Sequence, residues 1–283
     1  MSAPTTRTAL VTGASSGIGM ATARKLASEG YAVYAAARRV ERMKELETQG
    51  ITPIAMDVTD DASMRDGVDR ILGETGRIDV LVNNAGYGSY GAIEDVPPEE
   101  ARRQFDVNVF GLARLIQLVT PQMRERGDGY IVNVSSIGGK IYTPFGGWYH
   151  ATKFAVEGLS DALRLELAPF GIKVVIIEPG AIDTEWGGIA GEGLMARSGG
   201  GAYAEQVRHV ARMLGSEQSG PMRGSKPEVV ANAIAKAVRS SHPRSRYAIG
   251  MGAKPITYAR RVLPDRVIDG GVKLMFGAAG RMR

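Results

Sequence analysis

The sequence predicts an α/β fold: a doubly wound parallel sheet in a single domain, followed by a basic C-terminal extension. Three observations lead there. Short apolar segments alternate with helix-length amphipathic ones from the N-terminus onward. Most of the apolar segments are hydrophobic at consecutive positions, as strands buried on both faces are. The connectors between them are long enough to be crossover helices, which return the chain to the same sheet with one hand. The 283 residues contain no internal repeat and no low-complexity linker. Residues 1–250 therefore read as one domain and residues 251–283 as an appendage.

In chain order, strands are expected over residues 8–12, 32–36, 52–55, 80–82, 130–134 and 173–177. A seventh is expected over 246–249, beyond the segment EVVANAIAKAVRSS, whose apolar positions fall at helical spacing. Between 185 and 224 the pattern degrades into EWGGIAGEGLMARSGGGAYAE, with glycines too dense for a regular helix. Such a stretch after a sheet strand is either a plain surface loop or a mobile element. Its Trp186, Ile189, Leu194 and Met195 favour a flexible substrate lid.

Composition bounds the function. With 44% hydrophobic and 23% charged residues the chain is an ordinary soluble globular protein. It has no cysteine, which removes disulfides, zinc-thiolate sites and iron-sulfur clusters together. The N-terminal MSAPTTRTALVTG lacks the pattern of a signal sequence, and no apolar run approaches the roughly 20 residues that span a bilayer. A cytoplasmic protein is expected. The net charge of +5 is unevenly spread: residues 1–220 hold 22 Lys/Arg against 27 Asp/Glu, and residues 221–283 hold 13 against 3. The basic tail carries neither interleaved stacking aromatics nor a recognition helix, so no nucleic-acid partner is expected. A solvated basic face is preferred to peripheral contact with an anionic membrane.

The segment LVTGASSGIGMATARKLASEG follows the first strand and opens the first helix. Gly13, Gly17 and Gly19 thus stand where a backbone must turn tightly and meet a ligand. Glycine there allows positive φ and close approach of a pyrophosphate, whose charge is met by N–H groups at the helix N-terminus. The second strand ends in YAAARRVERMKEL, where a carboxylate for a ribose 2′-hydroxyl would stand; Ala37 occupies that position and Arg38 follows. Guanidinium groups pair with a 2′-phosphate, so NADP(H) is expected in preference to NAD. The alternative is that Arg38 and Arg39 merely begin a solvated helix. Asp57 in AMDVT either accepts from an adenine amino group or caps a helix. NNAG, Asn83 to Gly86, closes the fourth strand at the carboxyl edge, where open sheets bind ligands, although these are also ordinary turn formers.

The segment SSIGGKIYTPFGGWYHATK places Tyr149 four residues before Lys153, on one face of a helix. An ammonium about 4 Å from a phenol is worth roughly 4 kcal/mol at an effective dielectric of ~20, equal to about three pKa units. A phenol so tuned serves as general acid for a carbonyl oxygen that receives hydride, and as base in the reverse direction. A serine hydroxyl supplies the second hydrogen bond to that oxygen. Ser136, thirteen residues before Tyr149, is favoured over Ser135 by the alternation along IVNVSS. His150 points about 100° away from Tyr149 on the helix and is assigned to packing or surface. His209 and His242 have no carboxylate pattern around them, and no metal site is expected.

Together, Gly13-x-x-x-Gly17-x-Gly19, NNAG, Asn108 in DVNVFG, Ser136, Tyr149-x-x-x-Lys153 and EPGAIDT at 178–184 resemble the short-chain dehydrogenase/reductase family in its single-domain Tyr-Lys branch. The resemblance covers about residues 7–250 and implies a Rossmann-type sheet. It implies Tyr149 as acid/base, Ser136 as donor to the substrate oxygen, Lys153 as pKa perturber and ribose ligand, and Asn108 as holder of a relay water. It places Ser15, Ser16, Ile18, Val58, Asn84, Ala85, Gly86, Pro179 and Gly180 against the nucleotide, beside the three turn glycines and Asp57. Arg38 would meet the 2′-phosphate, and Ile182 and Thr184 the carboxamide of nicotinamide.

The stretches NNAGYGSYGAIED, FDVNVFG and GGWYHATKFAVEGLSDALRLELAPFGI look most like 17β-hydroxysteroid and retinol dehydrogenases. That points to a lipophilic alcohol or ketone: steroid, retinoid or long-chain keto compound. Tyr142, Phe145 and Trp148 either line its pocket or belong to the core. Small residues at Ala151, Ala155, Gly158 and Ala162 permit close helix contact, and the family implies a homodimer or homotetramer. Three rivals are a redox-inactive NADP-binding sensor or scaffold on the same fold, an epimerase or dehydratase of a related branch, and an enzyme attached to membrane through residues 255–283. The intact Asn108, Ser136, Tyr149, Lys153 set argues against the first. The glycine spacing disfavours the second.

Overall fold

The computed structural model describes residues 6–215 and 223–276. Residues 216–222 of the expected lid and 277–283 of the basic extension lie outside the described residues.

The first half of the chain alternates β1 (Thr8–Thr12), α1 (Gly17–Ser28), β2 (Ala32–Ala37), a short α2 (Lys44–Glu47), β3 (Ile51–Ala55), α3 (Asp61–Thr75) and β4 (Val80–Asn83). Next come α4 (Pro98–Phe105), a π-helical turn over Asp106–Gly111, α5 (Leu112–Arg126), β5 (Gly129–Val134), α6 (Gly147–Leu167) and β6 (Ile172–Pro179). The chain continues through α7 (Trp186–Ser198), α8 (Ala204–Gly215), α9 (Pro227–Arg239), β7 (Arg246–Ile249), α10 (Ala253–Val262) and α11 (Asp265–Phe276).

The seven strands lie in the order β3-β2-β1-β4-β5-β6-β7, and every pairing is parallel. The strand order reverses between β1 and β4, so their carboxyl ends open a crevice at the switch point. Alternate residues of each strand feed two cores. Val11, Val33, Val82, Val132 and Val175 meet Leu26 of α1 and Ile234 of α9 on one face. Leu10, Tyr34, Leu81, Ile131 and Val174 meet Ile71 of α3, Leu115 of α5 and Val156 of α6 on the other. Burial of both faces is why the strands read as continuous apolar runs.

Several strands extend a residue or two beyond those runs. Asn83 pairs in register with Asn133, donates to its Oδ1 at 2.9 Å, and Asn133 donates in turn to Ser160 Oγ at 2.9 Å. Asn133 is accommodated in the buried ladder because its amide oxygen and nitrogen both find a partner.

The stretch 185–224 differs from the expectation of an irregular loop: α7 and α8 occupy most of it. Gly191 serves contact rather than turning. A Cβ on Gly191 would stand 3.0 Å from the Ala211 carbonyl oxygen, so the glycine lets α7 lie close against α8. The helix penalty of about 1 kcal/mol per glycine is offset by the packing of Ala190 and Leu194 on Val207, Val210 and Leu214. The C-terminal helices are also held to the body: Tyr142 donates to Asp269 at 2.7 Å, and Phe276 packs against the α7–α8 cluster.

Candidate active site

The glycine turn is shaped by contacts that leave no room for side chains. Gly13 and Gly17 have φ of +63° and +53°. A Cβ on Gly19 would lie 2.3 Å from the Gly13 carbonyl oxygen, so α1 can begin directly under the turn only with glycine there. Thr12 ties the turn to the end of β4. Its Oγ1 donates to the Val82 carbonyl at 3.3 Å and accepts from the Asn84 and Ala85 amides at 3.0 Å each. Asn84 Nδ2 donates back to the Thr12 and Gly13 carbonyls at 3.0 and 3.3 Å. Ser16 stands at the N-cap of α1 without a side-chain cap bond, and the first turn of α1 carries no acidic residue. Ser15 is half-buried in the turn, and Ile18 packs down onto the core.

This cradle of backbone amides fits an anionic pyrophosphate. Beside it, Ala37 is buried at the end of β2 while Arg38 and Arg39 are exposed, so a cationic rim stands where a carboxylate would select a free ribose hydroxyl. The residues present fit NADP(H). Asp57 accepts from the Thr59 amide and hydroxyl at 2.9 and 2.8 Å. Burial works against its charge, but those bonds together with Arg38 and Arg103 hold its carboxyl below the usual range. The helix cap of α3 is Asp60, whose carboxylate accepts from Ala62 and Ser63, so Asp57 is free of the capping role the sequence left open. Val58 is seated by Gly111, where a Cβ would come 2.2 Å from the Val58 carbonyl oxygen.

The opposite wall is built by β5, the loop after it, and α6. Ser135 is buried, whereas Ser136, one residue on, is half-exposed and its Oγ accepts from the Gly138 amide at 3.0 Å. The Ser136 hydroxyl proton has no acceptor among the described residues. The turn then touches the tyrosine: a Cβ on Gly138 would lie 3.1 Å from the Tyr149 ring and 3.0 Å from His150 Nδ1. His150 is buried and bonds the Gly138 carbonyl through Nδ1 at 2.9 Å, while its Nε2 accepts from the Thr143 amide at 3.0 Å. Burial pushes its pKa down, so the ring is neutral and pins the loop. That is the packing role expected of it.

Tyr149 and Lys153 lie on the first two turns of α6. Lys153 is buried, its Nζ donates to the Val134 carbonyl at 2.9 Å and sits 5.9 Å from the centre of the Tyr149 ring. Burial pushes its pKa down to about 8, against the pull of the Glu157 carboxylate one turn further along α6. The cation expected to perturb the tyrosine is therefore itself desolvated. Asn108 reaches this wall from the π-helical turn. Its Nδ2 donates to Tyr87 O and Thr152 Oγ1 at 3.0 Å each, and its Oδ1 accepts from the Tyr87 amide at 3.1 Å. A π-turn shifts the backbone register and redirects a carbonyl, a device that recurs at functional sites.

α6 is anchored by charge. Glu157 accepts from Lys140 at 2.7 Å and Arg246 at 3.1 Å, and Glu178 of β6 faces the same two cations at 3.6 and 3.3 Å. Burial and the neighbouring Glu157 push the Glu178 pKa up.

The substrate side is apolar and covered. Tyr149 is 8% exposed, with Trp186 at 5.0 Å and Tyr90 at 5.8 Å between ring centres. Gly88 makes room for the indole, since a Cβ there would come within 2.4 Å of it. Trp148 is half-buried and meets Phe105 instead, at 6.4 Å between ring centres. Pro179 ends β6 and Gly180 follows it, tight against the Met251 carbonyl. Ile182 is buried, and the Thr184 methyl lies 3.1 Å from where a Cβ of Gly17 would stand, which closes the ring of expected residues around the crevice. The residues sequence reading missed are Thr12, Tyr90, Gly111 and Glu157. Only Thr12 carried a signal, as a hydroxyl residue at the carboxyl end of a strand.

Residues 7–192 match the family model for short chain dehydrogenases. A 3-ketodihydrosphingosine reductase of Bacteroides thetaiotaomicron is 36% identical over 270 residues, covering 94% of this chain and 97% of its own. An NADPH-dependent 3-dehydrocapnine reductase of Ornithobacterium rhinotracheale is 34% identical over 276 residues, 93% and 95% of the two chains. The crystal structure of a short-chain dehydrogenase from Streptomyces avermitilis aligns with a TM-score of 0.80 at 37% identity over 95% of both chains. With the glycine cradle, the strand order and the Tyr149–Lys153 wall already in place, these likenesses show that the chain belongs to the short-chain dehydrogenase/reductase family.

Proposed function

We propose that the protein is an NADP(H)-dependent oxidoreductase that moves hydride between nicotinamide and the carbonyl carbon of a lipophilic ketone or its alcohol. The observation that carries this reading is Lys153. A lysine on a solvated helix face would be exposed; this one is buried one turn from Tyr149 and fixed to the Val134 carbonyl.

The cofactor would be held by Gly13, Ser15, Ser16, Gly17, Ile18 and Gly19 at its pyrophosphate and by Arg38 at its 2′-phosphate. Asp57 and Val58 take the adenine, and Asn84, Ala85 and Gly86 line the crevice floor. Pro179, Gly180, Ile182 and Thr184 take the nicotinamide. When bound, it supplies the hydride. Ser136 Oγ donates to the substrate oxygen and holds it, Tyr149 delivers the proton that oxygen needs, and Lys153 stabilises the phenolate left behind. Asn108, on its π-turn, positions a water that returns a proton through Lys153. The α7–α8 pair forms the lid, with Trp186 excluding solvent from Tyr149.

Among lipophilic ketones a long-chain keto compound is favoured over a steroid or retinoid. Two near-full-length relatives are named for reduction of 3-ketodihydrosphingosine and 3-dehydrocapnine. An open groove of about 420 Å³ lined by Ala92, Ile93, Phe145 and Tyr203, with Glu94 at its side, offers room for an aliphatic chain. Exposed Ala151, Phe154, Gly158, Ala162 and Leu165 form one stripe of α6 and support two-fold pairing in a cytoplasmic dimer or tetramer.

The test is NADPH absorbance against a panel of long-chain 3-ketones, steroid ketones and retinal. Turnover confined to the long-chain ketones is expected. Preference for a steroid or for retinal would overturn the substrate assignment, and no turnover on any class would overturn the enzymatic one.

A further inference from the structure

The last two helices present a face that the active site does not use. Inward, Ile268, Val272 and Phe276 of α11 repeat at helical spacing, are half-buried, and bring Phe276 onto the α7–α8 cluster. Outward, Val267, Gly271 and Leu274 form a second row at i, i+4 and i+7, with Val267 51% and Leu274 87% exposed. α10 also exposes two apolar residues at i and i+4, Tyr258 and Val262.

The unpaired charges around it are of one sign. Lys254, Arg261, Arg266 and Lys273 are exposed and make no ion pair among the described residues. Both acids of this stretch are engaged, Asp265 with Arg260 of α10 at 2.6 Å and Asp269 with the Tyr142 hydroxyl at 2.7 Å. An apolar row flanked by free cations fits an anionic bilayer, into which the row can sink while the cations meet headgroup phosphates. A second copy of the chain fits less well, because a two-fold contact would set the same cations against each other. No helix among the described residues is long and apolar enough to cross a membrane, so the contact lies in the plane of the surface.

The geometry points to the outward face of α10 and α11 as a docking surface for anionic phospholipid bilayers. The sequence alone favours a solvated basic face; the exposed apolar row is what reverses that preference. This surface does not depend on the redox reading. Through Asp269 and Phe276 it is tied to the loop before Tyr149 and to the lid helices, so a docked enzyme would meet a lipophilic substrate where that substrate resides.

The experiment is co-sedimentation of the full chain with vesicles of phosphatidylglycerol and phosphatidylcholine in equal parts, against phosphatidylcholine alone, at low and high salt. Binding is expected only to the anionic vesicles, and is expected to weaken with salt. Arg261→Glu with Arg266→Glu and Lys273→Glu should lower it at least about a hundredfold. Val267→Asp with Leu274→Asp should lower it at least about tenfold. Both variants should keep the parent's unfolding temperature and its turnover of a water-soluble ketone. Failure of the unmodified chain to bind anionic vesicles at low salt overturns the proposal without reference to any variant. So do variants that bind as well as the parent, and so does a change in oligomeric mass caused by either variant, which would assign the face to a second copy.

Discussion

The two ends of the crevice are built by opposite means. At the nucleotide end the backbone does the work: Gly13, Gly17 and Gly19 exclude side chains, and Thr12 and Asn84 lock the turn through main-chain partners. At the substrate end side chains do it: Trp186, Tyr90 and Tyr149 cover one another, Lys153 is buried and fixed to the Val134 carbonyl, and Glu157 is buried between Lys140 and Arg246. Damage at the first end should therefore act through geometry and cofactor affinity. Damage at the second should act through chemistry while the fold survives.

The largest expected effect lies at the second end. Ser136→Ala should lower kcat by about 10²–10³ as the donor to the substrate oxygen is lost. Ser135→Ala, one residue away and buried, should change kcat no more than about threefold, since truncating a hydroxyl away from the reacting atoms leaves transition-state binding unchanged. Steady-state kinetics on both variants decide it.

Lys153 gives a stability counterpart. Its folded pKa of about 8 lies below the ordinary 10.5, so the unfolded chain binds the extra proton between those values. The penalty is full below pH 8 and relaxes as pH rises toward 10.5. Unfolding free energy of the parent minus that of Lys153→Met should accordingly rise by about 3 kcal/mol across that window, as followed by denaturant titration at each pH. A flat difference would show that the lysine is not desolvated.

At the nucleotide end, Gly19→Ala should destabilise by about 1–3 kcal/mol and weaken NADPH binding at least tenfold, because the new Cβ meets a main-chain oxygen that cannot move away. Calorimetry reads both. The smallest shift is expected at the rim. Ala37→Asp with Arg38→Leu should move preference toward NAD by roughly tenfold to a hundredfold through loss of a charge-assisted contact and gain of repulsion. Equal affinity of the unmodified protein for NADP and NAD would remove the basis of that prediction.

The same division explains what could be read from the sequence. The sheet was legible because strands buried on both faces leave consecutive apolar runs, and the nucleotide turn because its glycines have fixed spacing beside a strand and a helix. Tyr149, Lys153 and Asn108 were legible as motifs. The α7–α8 pair was not: Gly191 lets two helices approach, and in sequence such a glycine looks like a turn former. Nor were Tyr90 and Glu157, which meet partners 107 and 89 residues away only once the sheet has assembled. Local spacing carries no trace of such pairs.

The reading as a whole rests on Tyr149 as the group that exchanges the proton. The most direct measurement is single-turnover oxidation of NADPH by Tyr149→Phe with a long-chain 3-ketone, beside the variant's NADPH affinity. The rate should fall by about 10³-fold or more while NADPH binding stays within about twofold of the parent. Turnover at the parent's rate would contradict it.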